Sequence, residues 1–103
     1  MEIPLKRVAQ WVKEKKEFHF LDVRRDDERE FASLGGIHIP LDQLQARASE
    51  LPRDKKPIIV YCHHGVRSMH AAQFLKFQGY DALSMQGGID LWSIEVDPSV
   101  PRY

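Results

Sequence analysis

The chain has 103 residues, 43% of them apolar and 29% charged, which suits one ordinary globular core and leaves no material for a second. Fifteen basic residues offset fifteen acidic ones, so no global field exists to draw in nucleic acid or an anionic membrane, and any anion selectivity has to be local. The lone cysteine excludes an internal disulfide, and neither a bilayer-length apolar run nor a signal-like N-terminal segment is present, so a cytoplasmic location with no membrane partner is expected.

Taken in order, Pro4 to Lys16 is expected to be helical. Leu5, Val8, Ala9 and Val12 recur at i, i+3, i+4, i+7, Pro4 suits a first turn, and Lys13, Lys15 and Lys16 suit the negative end of the helix dipole. Phe18 to Val23 reads as a strand covered on both faces, running into Asp22-Val23-Arg24. A short helix is expected from about Asp27 to Leu34, capped by Asp26 or Asp27, with Arg24 and Glu28 at i, i+4 spacing. Gly35-Gly36 interrupts the chain before a very short strand, Ile37 to Pro40.

Leu41 to Leu51 carries Leu41, Leu44, Ala48 and Leu51 on one helical face, and a polar loop bounded by Pro52 and Pro57 follows. Ile58-Ile59-Val60-Tyr61 is a β-branched run that reads as a buried strand and ends on Cys62. His63-His64-Gly65-Val66-Arg67-Ser68 then opens into a helix reaching Gln78, striped by Ala71, Phe74 and Leu75 and stopped by Gly79. Asp81 to Met85 is the last expected strand. Gly87-Gly88 turns into Ile89 to Ser93, with room for a turn or two of helix, and the proline-rich remainder to Tyr103 is expected to be irregular. Strands and helices alternating at this rhythm imply a three-layer α/β domain with a mostly parallel sheet over residues 1–103.

The Cys62 loop is the candidate for chemistry. Ligands of open α/β sheets bind at the carboxyl ends of the strands, where this thiol falls. A thiolate is the reactive form of cysteine, and amides of a tight loop at a helix N-terminus favour it over the thiol. Gly65 lets the backbone close in, Arg67 offers a planar guanidinium to an oxyanion, and Ser68 holds the loop or donates a hydrogen bond. Against this stands the commoner fate of a lone cysteine, a small buried apolar side chain.

In these residues the chain resembles single-domain rhodaneses over nearly its whole length. Asp22-Val23-Arg24, the strand ending in Cys62, the C-x-x-G-V-R-S pattern and Gly87-Gly88-Ile89 with Trp92 match that family in order. The tail from Gly87 to Tyr103 is also similar to rhodanese domains fused to molybdopterin-synthase adenylyltransferase-type enzymes. The resemblance implies a five-stranded parallel sheet flanked by helices and sulfur transfer through a persulfide on Cys62. The donor would be thiosulfate or a protein persulfide, the acceptor a thiol or cyanide, with no cofactor. Residues 63 to 68 would form the anion-binding loop, Arg67 would orient the donor, and Asp22 and Arg24 would support the site.

Two departures from the family pattern stand out. The segment Leu34 to Pro40 is a shorter variant of the usual Gly-His-Ile-Pro-Gly-Ala, and positions 63 and 64 are both histidine, able to tune the thiol, select acceptors or face solvent. Cysteine-dependent phosphatases place five residues between cysteine and arginine, whereas four separate Cys62 from Arg67, a smaller cradle that favours sulfur over phosphoryl transfer. No metal is expected of Cys62, His63, His64 and His70, because structural zinc wants four ligands and adjacent side chains in a tight loop rarely converge on one ion. The alternative from another class is a non-catalytic interaction module anchored by Trp11, Tyr80, Trp92 or Tyr103.

Overall fold

The computed structural model describes all 103 residues. Five strands form one sheet: β1 (Glu2–Ile3), β2 (His19–Asp22), β3 (Ile37–His38), β4 (Ile58–Tyr61) and β5 (Ala82–Met85). Their order is β1-β5-β4-β2-β3 and every pairing is parallel. The helices are α1 (Leu5–Lys13), α2 (Asp26–Phe31), α3 (Leu44–Arg47), α4 (Val66–Phe77) and α5 (Gly88–Glu95). A fully parallel sheet needs cover on both faces, and the side chains of β4 show how it is shared. Ile58, Val60 and Cys62 join a core with Leu44, Ala71 and Leu75 of α3 and α4. Ile59 and Tyr61 point the other way, into a core with Leu5 and Val8 of α1 and Ile89 and Trp92 of α5. The expected three-layer α/β architecture is therefore the observed one.

Several boundaries differ from the sequence reading. The fifth strand is β1, which pairs Glu2 with Ser84 and Ile3 with Met85 and buries Ile3. Two residues are too few to show a period, so only β5 creates it. Helix α1 stops at Lys13 rather than Lys16, because Lys15 adopts a left-handed φ of 57°. The segment 41–51 is not one helix. It splits into a 3₁₀ turn at Leu41–Gln43, α3, and a second 3₁₀ turn at Ala48–Glu50. Neither Asp26 nor Asp27 caps α2: Arg25 is the N-cap, and its N–H donates to the Glu28 carboxylate at 3.1 Å. Helix α5 has the two turns expected, but begins one residue before Ile89 and ends two after Ser93.

The neighbouring strands β2 and β4 are in register with Asp22 opposite Tyr61. Their carboxyl ends thus bring Asp22-Val23-Arg24 beside the Cys62 loop, and the N-terminus of α5 arrives from β5 on the other side.

Candidate active site

Cys62 is 1% exposed, and its Sγ sits within the turn that precedes α4. The Gly65 N–H donates to Sγ at 3.1 Å and the Ser68 N–H at 3.4 Å, with the Ser68 hydroxyl 3.5 Å away. Gly65 makes this possible by taking a φ of 113°, which folds the chain back so that its own amide faces the sulfur. The twelve-residue α4 starts at the next position, adding its positive end to the same spot. Ser68 Oγ also donates to the Gly65 carbonyl at 3.1 Å and lies 2.7 Å from Ser84 Oγ, with both serines fully buried.

The back of the loop is held by α5. The Ile89 N–H donates to the Cys62 carbonyl at 2.9 Å and the Asp90 N–H to the His63 carbonyl at 3.1 Å. With their carbonyls tied behind, Cys62 and His63 keep the loop's amides on the sulfur side. The approach leaves no space at Gly88, where a Cβ would lie 2.6 Å from the Cys62 oxygen. The Gly-Gly-Ile segment is therefore part of the loop's support rather than a turn alone.

Arg67 does not stand free. Its two Nη atoms meet the Glu28 carboxylate at 2.6 and 2.9 Å, a bidentate pair. Glu28 is buried and also accepts from the Tyr103 hydroxyl at 2.8 Å. The Arg67 hydrogen bonds, joined by Tyr103 and the Arg25 N–H, outweigh burial and hold the Glu28 carboxyl down at about 2. The Arg67 guanidinium is raised in turn by the Glu28 hydrogen bonds.

Behind this pair, Arg24 is completely buried. Its Nε and Nη2 donate to Asp22 at 2.9 and 2.8 Å, and the remaining donors reach the carbonyls of Ala32 and Glu28 and the Tyr103 oxygen. Burial pulls the Arg24 pKa down, but the bonds to Asp22 and Tyr103 prevail and leave it above its ordinary value. Burial, with the Glu28 charge, pushes the Tyr103 phenol up to about 12 against the pull of Arg24. Asp22 and Arg24 thus make no hydrogen bond to the Cys62 loop themselves and connect with it through Glu28 and Tyr103.

His63 is sandwiched. Its ring stacks on His64 with centroids 3.9 Å apart and on Tyr103 at 4.0 Å, and its buried Nε2 has no hydrogen-bond partner. Burial first, then the neighbouring His64 charge, lowers the His63 pKa. His64 is exposed, with Nε2 3.7 Å from Asp90, whose carboxylate also takes Arg102 Nε at 2.9 Å. One atom each of His63, His64 and Asp90 fall within 4.8 Å of one another. Stacked imidazoles hold their lone pairs in nearly parallel planes, however, so an ion in the plane of one ring lies out of the plane of the other. Val66 is 69% exposed and has only its backbone to offer the site, while His70 lies on α4 beside Phe74 and Phe77.

Residues 62 to 68, Asp22 and Arg24 are therefore brought together as a continuous assembly. Glu28, Ser84, Asp90 and Tyr103 belong to it although the sequence did not point to them as site residues, Tyr103 being expected only as a docking anchor. Glu28 had one clue, its spacing from Arg24, yet its carboxylate goes to Arg67. A cleft of about 370 Å³, bounded by Val23, Arg25, Pro40, Leu41, Asp42 and Arg67, adjoins the Arg67 side. Chemically, the assembly offers a thiol whose anion would be met by amides and a helix N-terminus, with the cleft opening on the far side of Arg67.

Residues 5–95 match the family model described as a rhodanese-like domain. The chain is 38% identical over 92 residues to the Arabidopsis thaliana rhodanese-like/PpiC domain-containing protein 12, covering 84% of this chain and only 31% of that relative. It is 31% identical over 85 residues to the thiosulfate sulfurtransferase GlpE of Vibrio cholerae, covering 82% of this chain and 80% of GlpE. A rhodanese-related protein from Thermoplasma volcanium superposes with a TM-score of 0.85 at 33% identity, over 99% of this chain and 98% of that one. With its parallel sheet, its cysteine at the end of the central strand and these matches over nearly its full length, the chain belongs to the rhodanese-like domain family.

Proposed function

We propose that the protein is a sulfurtransferase that carries a sulfane sulfur as a persulfide on Cys62. The observation that supports this most directly is the pair of N–H groups, from Gly65 and Ser68, directed at Sγ at 3.1 and 3.4 Å. In the first half-reaction the Cys62 thiolate attacks the outer sulfur of a donor, thiosulfate or a protein persulfide. The donor's sulfur–sulfur bond breaks, and sulfite or a thiolate leaves with the electron pair. In the second, a thiol or cyanide attacks the outer sulfur of Cys62–S–S⁻ and restores the thiolate. The name of the GlpE relative supports thiosulfate as one donor class to test. No helix is long and apolar enough to cross a membrane, and no membrane role enters the proposal.

Intact-protein mass spectrometry tests the reading. Incubation with thiosulfate or a persulfide donor, followed by desalting, is expected to add the mass of one sulfur atom to the wild-type chain. The adduct should be absent from Cys62→Ser and should disappear on addition of cyanide. No adduct from either donor class would defeat the proposal and favour a non-catalytic interaction module.

A further inference from the structure

We infer, on the basis of the sulfur-transfer reading, that the matching donor is a persulfide on an uncharged peptide or small thiol rather than the dianion thiosulfate. The inference comes from the charge pairing around the loop. Beyond what the loop's own amides offer, a small dianion is drawn in by an unpaired cation close to the thiol, and each cationic side chain bordering this site already faces a carboxylate.

Arg67 is the guanidinium nearest in sequence to the thiol, and both its Nη atoms are bound to Glu28. To take Arg67 for itself, a dianion would have to leave the Glu28 carboxylate, whose side chain is 5% exposed, facing two further negative charges. Glu28 is not free to swing away, because the Tyr103 hydroxyl and the Arg25 N–H hold it at 2.8 and 3.1 Å. Arg24 is fully buried on Asp22. Arg29 shares Asp22 at 3.4 Å and spends its other bonds on the Gly35 and Gly36 carbonyls. On the opposite side Arg102 pairs with Asp90, and His64 lies 3.7 Å from the same carboxylate. Arg25 meets Asp27 at 3.1 Å out in solvent, where screening leaves little of its field.

The adjoining cleft has complementary chemistry for a different ligand. Val23, Pro40 and Leu41 give it an apolar floor, and its two arginines, Arg25 and Arg67, are the ones already paired with Asp27 and Glu28. At about 370 Å³ it has room for a cysteine side chain and a flanking peptide unit. The transfer needs no outside oxidant. The Cys62 thiolate attacks the outer sulfur of R–S–SH, the R–S–S linkage breaks between its two sulfurs, and R–S⁻ departs with the electron pair. Cys62–S–SH keeps the proton.

The experiment compares thiosulfate with the persulfide of N-acetylcysteinamide, using wild type and Glu28→Gln, and reads the rate of the one-sulfur mass gain on Cys62. Releasing Arg67 in Glu28→Gln is expected to raise the thiosulfate-to-persulfide rate ratio by about tenfold or more. In wild type, the thiosulfate rate should change by less than about twofold between low and high salt, because no unpaired cation steers the dianion. If Glu28→Gln does not fold, the wild-type salt dependence decides alone. An unchanged ratio in a folded Glu28→Gln, or a wild-type thiosulfate rate that falls steeply with salt, overturns the inference while leaving sulfur transfer standing. No mass gain from either donor removes the sulfur-transfer reading and the inference with it.

Discussion

Gly88→Ala is expected to destabilise the protein by about 3–4 kcal/mol, far more than a glycine substitution at a typical turn. Three contributions make up the figure. Gly88 has a φ of +64°, and holding an L-residue there costs about 1–2 kcal/mol. The new Cβ would lie 2.6 Å from the Cys62 carbonyl oxygen and closer still to that of His63, both backbone atoms that no rotamer change can move aside. The α5 terminus must therefore back away, giving up the Ile89-to-Cys62 and Asp90-to-His63 hydrogen bonds, each worth about 1 kcal/mol. Gly35→Ala supplies the control. Its φ is +82° but no atom lies within 4 Å of the added Cβ, so only the conformational cost of about 1–2 kcal/mol applies. Urea unfolding at equal m-value would measure both. If Gly88→Ala unfolds no earlier than Gly35→Ala, then α5 does not grip the loop as described.

Arg24→Met should cost about 3 kcal/mol, because it leaves the fully buried Asp22 carboxylate with only Arg29 at 3.4 Å and the backbone N–H of residue 24; adding Asp22→Asn should recover part of that loss, and strictly additive effects in a double-mutant cycle would contradict the pairing. The acid limb of stability should carry a Glu28 contribution. Its folded pKa, about 2, lies below the ordinary 4.5, so the stabilisation is complete above pH ~4.5 and is lost as the pH falls towards 2, amounting to about 3 kcal/mol. Urea midpoints measured from pH 6 to pH 3 should therefore fall less steeply in Glu28→Gln than in wild type, and parallel curves would refute the assignment. Of the two buried serines, Ser68→Ala should be the more damaging. It leaves the Ser84 hydroxyl without its partner, at about 1–3 kcal/mol, whereas Ser84→Ala leaves Ser68 bonded to the Gly65 carbonyl and should cost about 1 kcal/mol. Thermal unfolding of the two variants gives the order directly.

The sequence by itself determined the layers and the place of the thiol. Ile58 to Tyr61 reads as a covered strand and Val66 to Gln78 as a helix, and a glycine three residues past Cys62 marks the turn that aims amides at the sulfur. These features rest on neighbours in the chain, where β-branched runs, helical spacing and a positive-φ glycine act over a few residues. Strand β1 and the broken segment 41–51 were not legible in the same way, since the first owes its existence to β5 and the second to competition between 3₁₀ and α turns.

Tertiary structure alone decided what surrounds the thiol. Glu28 reaches Arg67 across 39 positions and Tyr103 reaches Glu28 across 75, separations over which no local periodicity carries information. Arg67, legible in the sequence as a cation for an anionic donor, emerges paired, because the buried Glu28 carboxylate holds its partly exposed guanidinium in a bidentate ion pair. The stacking of His63 between His64 and Tyr103 is likewise visible only in three dimensions, where Tyr103 returns from the end of the chain. The chain's local chemistry fixed where the thiol and its facing amides lie; the long-range ion pairing fixed the balance of charge around them.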